Sequence, residues 1–175
     1  MGEMTEGPDD ARLDPPFLAD EATMLSSWLE WHRGTLERKV AGVPLERLAE
    51  RTVAPSSLSL LGLVRHLSEV ERSWFRRVLA GEDAPPLYYS DASPDGDIDD
   101  TDGADPAADL LVWQQEVAHA RTLVAGLPMD TGSTGLRHGA HVSLRWIMVH
   151  MIEEYARHNG HADLLRERLD GVVGE

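Results

Sequence analysis

The chain is 175 residues long, enough for one sizeable core, and acidic residues outnumber basic ones 31 to 16 for a formal charge of -15. That balance repels a phosphate backbone and speaks against nucleic-acid binding, while the absence of cysteine removes disulfides, thiolate metal ligands and a cysteine nucleophile. No apolar run reaches the roughly 18 residues of a membrane span, and the acidic, Pro-containing N-terminus lacks a signal-peptide core, so a cytoplasmic protein with no membrane partner is expected.

Residues 1–17 show no periodicity and read as a partly disordered lead-in to a single domain over 1–175, with Phe17 and Leu18 placed to pin its end to the core. A first helix is predicted from Asp20, its N-cap, to about Val40, with Met24, Leu25, Trp28, Trp31, Thr35 and Leu36 at helical spacing. Gly42, Pro44 and Pro55 mark a connection with a short helical turn near Leu45 to Glu50. Ser57 or Ser59 caps a second helix that stops at Gly81 and carries Leu60, Leu63, Val64, Leu67, Val70, Trp74 and Val78 on its apolar line.

Residues 82–105 form a long acidic loop, read as a solvated segment near the mouth of the fold. An EF-hand frame over it fails, because Ile98 and Asp109 fall where calcium needs Asp and Glu. The third helix runs from about Asp105 to Ala125, with Ala108, Leu111, Val112, Gln115, Ala118, His119 and Thr122 expected inward. A second long loop follows, with a short extended piece within Leu136 to Val142, before Ser143 caps a fourth helix that runs to about Leu169. Four helices of roughly 20 residues, each about 30 Å long, make an all-α four-helix bundle with long loops between helices two and three and between three and four.

The fourth helix carries the chemistry. Leu144, Ile147, Met148, Met151, Tyr155, Ala162, Leu165 and Leu169 make its apolar stripe; His158 falls inside the stripe and Glu154, one i,i+4 step earlier, at its edge. A buried carboxylate beside a buried imidazole needs a neutralising partner. A divalent metal supplies one, and His66, inward on the second helix between Leu63 and Val70, is the candidate third ligand. The same spacing also suits a hydrogen-bonded Glu154–His158 pair beside a core histidine. His161 reads as a partner behind the ligands or as a solvent-facing residue, and His150 as a boundary residue. Gly160 suggests a close approach, and Arg145 and Arg157 could meet an anion at the rim. Glu69 and Glu71 are expected to pair with Arg65, Arg72 or Arg76. Glu116 and His119 alone do not make a di-iron site, which needs two such motifs, although His119 could approach the metal from a third helix.

The segments LGLVRHLSEVERSWF and HMIEEYARHNGHADLLRERLDG together resemble the DinB-like superfamily of metal-binding four-helix bundles, in its actinobacterial branch. The likeness spans nearly the whole chain. It implies a divalent metal on His66, Glu154 and His158, and the His, Glu, His set is similar to that of the mycothiol-dependent maleylpyruvate isomerase, whose metal is zinc. Zinc, or another divalent ion such as nickel, is therefore the expected cofactor, with a mycothiol-like thiol and an electrophilic substrate as partners and a homodimer as the implied assembly. That isomerase has a further C-terminal domain, so the expectation covers thiol transfer or isomerisation as a class. The alternatives are a metal-dependent hydrolase and a non-catalytic, stress-associated dimeric binding module.

Overall fold

The computed structural model describes residues 12–173. The long helices are α1 (Glu21–Val40), α2 (Leu60–Glu71) with a π-helical continuation (Arg72–Ala80), α4 (Pro106–Val124) and α5 (Leu144–Asp170). A single-turn α3 (Gly96–Asp99) lies in the acidic loop, and a 3-10 turn (Leu45–Arg47) joins α1 to α2. Among the described residues there is no strand, only the isolated bridges Gly132–Ser143 and Arg137–Ala140. The fold is an all-α bundle, and no helix among the described residues is long and apolar enough to cross a membrane.

Local chemistry sets the helix ends. Asp20 accepts from the Thr23 amide, Ser59 from Gly62, Asp105 from Ala107 and Ala108, and Ser143 from Trp146, each bond satisfying an otherwise orphaned donor and worth about 1 kcal/mol. Gly81 (φ 70°) and Gly171 (φ 79°) close the π-helical segment and α5 in the left-handed conformation that favours glycine.

The helices bury Leu29, Leu36, Leu61, Leu63, Leu67, Phe75, Ile147, Met151 and Tyr155 in one core. A polar chain crosses its centre and touches every long helix. Arg33 of α1 grips Glu71 of α2 through two bonds of 2.8 and 2.7 Å; Tyr155 of α5 donates to Glu71 at 2.8 Å; Trp113 of α4 donates to Tyr155 at 2.9 Å. Burial, with the Glu71 carboxylate beside it, pushes the Tyr155 phenol well above the ordinary tyrosine range, so it stays protonated and donating.

Three expectations are corrected. The third helix turns another face inward: Asp109, Trp113, Glu116, Val117 and Ala120 are buried, while Leu111 is 53% exposed. The cause is charge pairing, since Glu116 enters the interior gripped by Arg72 and Arg76 at 2.7 Å each. Phe17 and Leu18 do not pin the lead-in; both are almost fully exposed, and Arg12 does so by lying over the Trp31 ring and bonding Thr35. Residues 1–11 of that lead-in fall outside the described residues.

The third correction concerns the acidic loop: its aspartates other than Asp97 are exposed, as a solvated segment requires, but the segment is also strapped along α2. Glu69 accepts from the Leu87 and Tyr88 amides, Arg51 and Arg65 bond the Asp99 and Asp100 carbonyls, and a Cβ on Gly62 would sit 2.9 Å from the Ile98 carbonyl. The second loop docks on the opposite end of the same helix, where the Thr134 and Gly135 amides donate to the Leu79 and Val78 carbonyls at 2.9 and 2.8 Å.

Candidate metal centre

Helices α2 and α5 run antiparallel, so His66 meets His158 at one level and Trp74 meets Trp146 further along, with ring centroids 4.6 and 5.1 Å apart. His66, Glu154 and His158 each offer a ligand atom, and these atoms lie within 4.8 Å of one another. His158 Nε2 stands 3.4 Å from Glu154 Oε2, about the edge length of a tetrahedron built on bonds of roughly 2.1 Å. Their side chains are 26%, 17% and 12% exposed, in the order His66, Glu154, His158, so the group is sheltered yet reachable.

Its electrostatics suit a cation. The adjacent His158 holds the Glu154 carboxyl below the ordinary glutamate range, with His150 and His66 adding to the effect and partial burial opposing it. Two imidazoles and an ionised carboxylate are a borderline donor set that matches zinc and its neighbours in the first transition row.

Further side chains stand behind these three. Asp97, carried by α3 and only 7% exposed, places Oδ2 2.8 Å from His66 Nδ1, which leaves Nε2 as the ring atom free to ligate. His161 stands behind His158, with the two Nδ1 atoms 3.3 Å apart. Burial, then the charges of its neighbours, push the His161 imidazole below the ordinary histidine range. His150 is a boundary residue, its side chain 24% exposed, and it also joins the cluster by approaching the other Glu154 oxygen, Nε2 to Oε1 3.3 Å.

His119 pairs with Glu82 at 2.9 Å. Glu71 is taken by Arg33, and Glu69 by two loop amides with Arg77 at 3.6 Å, so neither uses the arginines expected for it. Arg145 pairs with Glu21 and Arg157 with Glu153, which removes both as free rim cations. Gly160 is exposed, and nothing among the described residues would meet a Cβ there within 4 Å, so no close approach explains it. Asp97 is the neighbour of His66 that the sequence concealed. Its only signal was membership of an acidic run, which ordinarily marks a wet loop.

Comparison with known proteins adds the family. No curated protein matches the chain significantly. A protein-family model described as Mycothiol-S-transferase matches residues 24–171, a span that runs from the first turn of α1 through α5 and contains every member of the histidine cluster. The chain thus belongs to the mycothiol S-transferase family, within the DinB-like superfamily.

Proposed function

We propose that this protein is a metal-dependent transferase that joins a low-molecular-weight, mycothiol-like thiol to an electrophile, with His66, Glu154 and His158 holding a divalent ion and zinc as the first choice. The observation that carries the reading is the convergence of those three donor groups, with Asp97 fixing the ring of His66, in a chain of this family. A divalent ion in such a donor set supplies Lewis acidity, lowering the pKa of a thiol that meets it toward neutral.

The protein's own groups do the rest. Asp97 holds the His66 tautomer, His150 holds the outer oxygen of Glu154, and His161 backs His158, so the three donors are oriented before any ligand arrives. Orientation of the thiol and the electrophile at one sheltered centre lowers the entropy cost of bringing them together. The transfer forms one sulfur–carbon bond as the bond from that carbon to its leaving group breaks, the electron pair going to the leaving group and the thiol proton to that group or to water.

Elemental analysis of purified protein followed by a thiol-conjugation assay with several low-molecular-weight thiols tests this. One ion per chain is expected, lost in His158→Ala together with thiol consumption. Full retention of metal by His158→Ala sinks the ligand assignment, and thiol-independent turnover of an ester or amide would make the protein a hydrolase instead.

A further inference from the structure

Beside the histidine cluster lies an aromatic plate that the metal chemistry does not use. Trp146 stacks on His150 with centroids 5.1 Å apart and planes at 25°, and Trp74 closes against both, 4.7 Å from His150 and 5.1 Å from Trp146. The inner ring, Trp74, is buried, whereas Trp146 is 48% exposed. The plate touches the candidate centre directly, through the 3.3 Å approach of His150 to Glu154.

A cation is held over this plate. The Arg137 guanidinium sits 5.2 Å from the Trp74 ring. It is carried by a two-residue turn, His138–Gly139, with φ of 50° and 81°, closed by reciprocal Arg137–Ala140 backbone bonds of 2.9 and 3.0 Å. Positive φ at both turn positions is the tight hairpin geometry. The base of this hairpin is pinned to the end of the π-helical segment through the Thr134 and Gly135 amides, so backbone geometry sets where Arg137 stands.

The arginines around it are committed elsewhere. Arg72 and Arg76 hold Glu116, Arg77 holds Tyr89 and faces Glu69, Arg145 holds Glu21, and Arg157 holds Glu153. Arg137 makes no ion pair or hydrogen bond with any carboxylate among the described residues. In a chain of net charge -15, a cation kept clear of every acid among the described residues, over Trp74 with the exposed Trp146 packed on the same ring, and one residue contact from a metal-type cluster, is complementary to a small anion.

We infer that Arg137, Trp74 and Trp146 form the acceptor subsite, and that it takes a planar, conjugated or aromatic carboxylate. The guanidinium fork meets the carboxylate and the exposed indole of Trp146, backed by the buried Trp74, meets the flat body, which leaves the reactive carbon directed along His150 toward Glu154. This rests on the transferase reading only for the word acceptor; the anion site itself depends on no metal.

Titration of the full chain with benzoate and with neutral benzamide, in metal-loaded and metal-stripped forms and read by calorimetry and tryptophan fluorescence, tests the inference. Benzoate is expected to bind both forms and to be preferred over benzamide. Arg137→Met should weaken it on the order of ten-fold or more, while Arg137→Lys retains part of the affinity. Thermal melting checks that both variants are folded, and Trp146→Phe is expected to reduce quenching and affinity independently. Equal binding of benzamide overturns the subsite, as does unchanged benzoate affinity in Arg137→Met. Benzoate binding that needs the metal and ignores Arg137 also overturns it, while leaving the transferase reading intact. Arg137-dependent binding by a chain that never takes up metal has the opposite meaning: the subsite stands and the metal reading falls.

Discussion

Asp97 and His66 come from segments 31 residues apart and share one 2.8 Å contact, Oδ2 to Nδ1, beside the histidine cluster. A carboxylate on one imidazole nitrogen fixes the tautomer and raises the basicity of the other, and loss of such partners typically lowers metal affinity about 10–100-fold. Asp97→Ala should therefore weaken metal binding by that order in a chelator competition titration, with Asp97→Asn between it and the parent. Unchanged affinity in Asp97→Ala would mean that His66 needs no such support.

The Arg33–Glu71–Tyr155–Trp113 chain should dominate stability more than any single aliphatic contact. Glu71→Leu leaves the Arg33 guanidinium buried without its bidentate partner, and breaking a buried pair in this way costs about 3–5 kcal/mol. Tyr155→Phe keeps the packing and removes one hydroxyl that both donates and accepts, so about 1–3 kcal/mol is expected. Denaturant unfolding of the two variants checks the order; a larger loss for Tyr155→Phe would show that the hydroxyl, not the ion pair, ties the helices together.

The sequence announced the bundle because its signals are local. Asp20, Ser59, Asp105 and Ser143 cap the helices they precede, and the stripe from Leu144 to Leu169 is buried as its period predicts. Donors from different helices were brought together as expected at His66, Glu154 and His158. What failed depended on partners distant in sequence. The inward face of α4 contains Asp109 and Glu116, whose burial is set by arginines of α2 and its π-helical continuation, so polarity pointed the wrong way. The strap role of residues 82–105 was hidden for the same reason: an aspartate reads as wet until the histidine that it meets is known. The π-helical stretch Arg72–Ala80 has no proline, glycine or other local mark to betray it.

Glu30 links the bundle's stability to acid. Partial burial raises its carboxyl pKa, but Arg121 and Arg33 together outweigh that and hold it below the ordinary glutamate range. A carboxyl whose pKa is depressed by folding contributes stability above its unfolded value of 4.5, and that contribution is lost as pH falls through the lower folded value. Glu30→Gln should accordingly melt earlier than the parent at pH 7, with the difference shrinking as both are taken below the ordinary glutamate range. A difference that stays constant with pH would assign the effect to packing rather than to charge.

The docking of the Arg137 hairpin rests on the absence of one methyl group. A Cβ on Gly135 would lie 2.1 Å from the Arg77 carbonyl oxygen and 3.0 Å from that of Val78, both backbone atoms that cannot swing aside. At Gly132, three residues earlier, nothing stands within 4 Å. Gly135→Ala must push the loop off the helix end, stretching the 2.8 Å bond from its amide to Val78, and overpacking of this kind costs about 1–3 kcal/mol. For a chain of this size that corresponds to a fall in Tm of roughly 2–12 °C. Gly132→Ala, at a position without positive φ, should remain within about 0.5 kcal/mol of the parent. Scanning calorimetry of the pair separates steric docking from any general intolerance of the loop to substitution, and equal losses in both would show that the hairpin is not held by this contact.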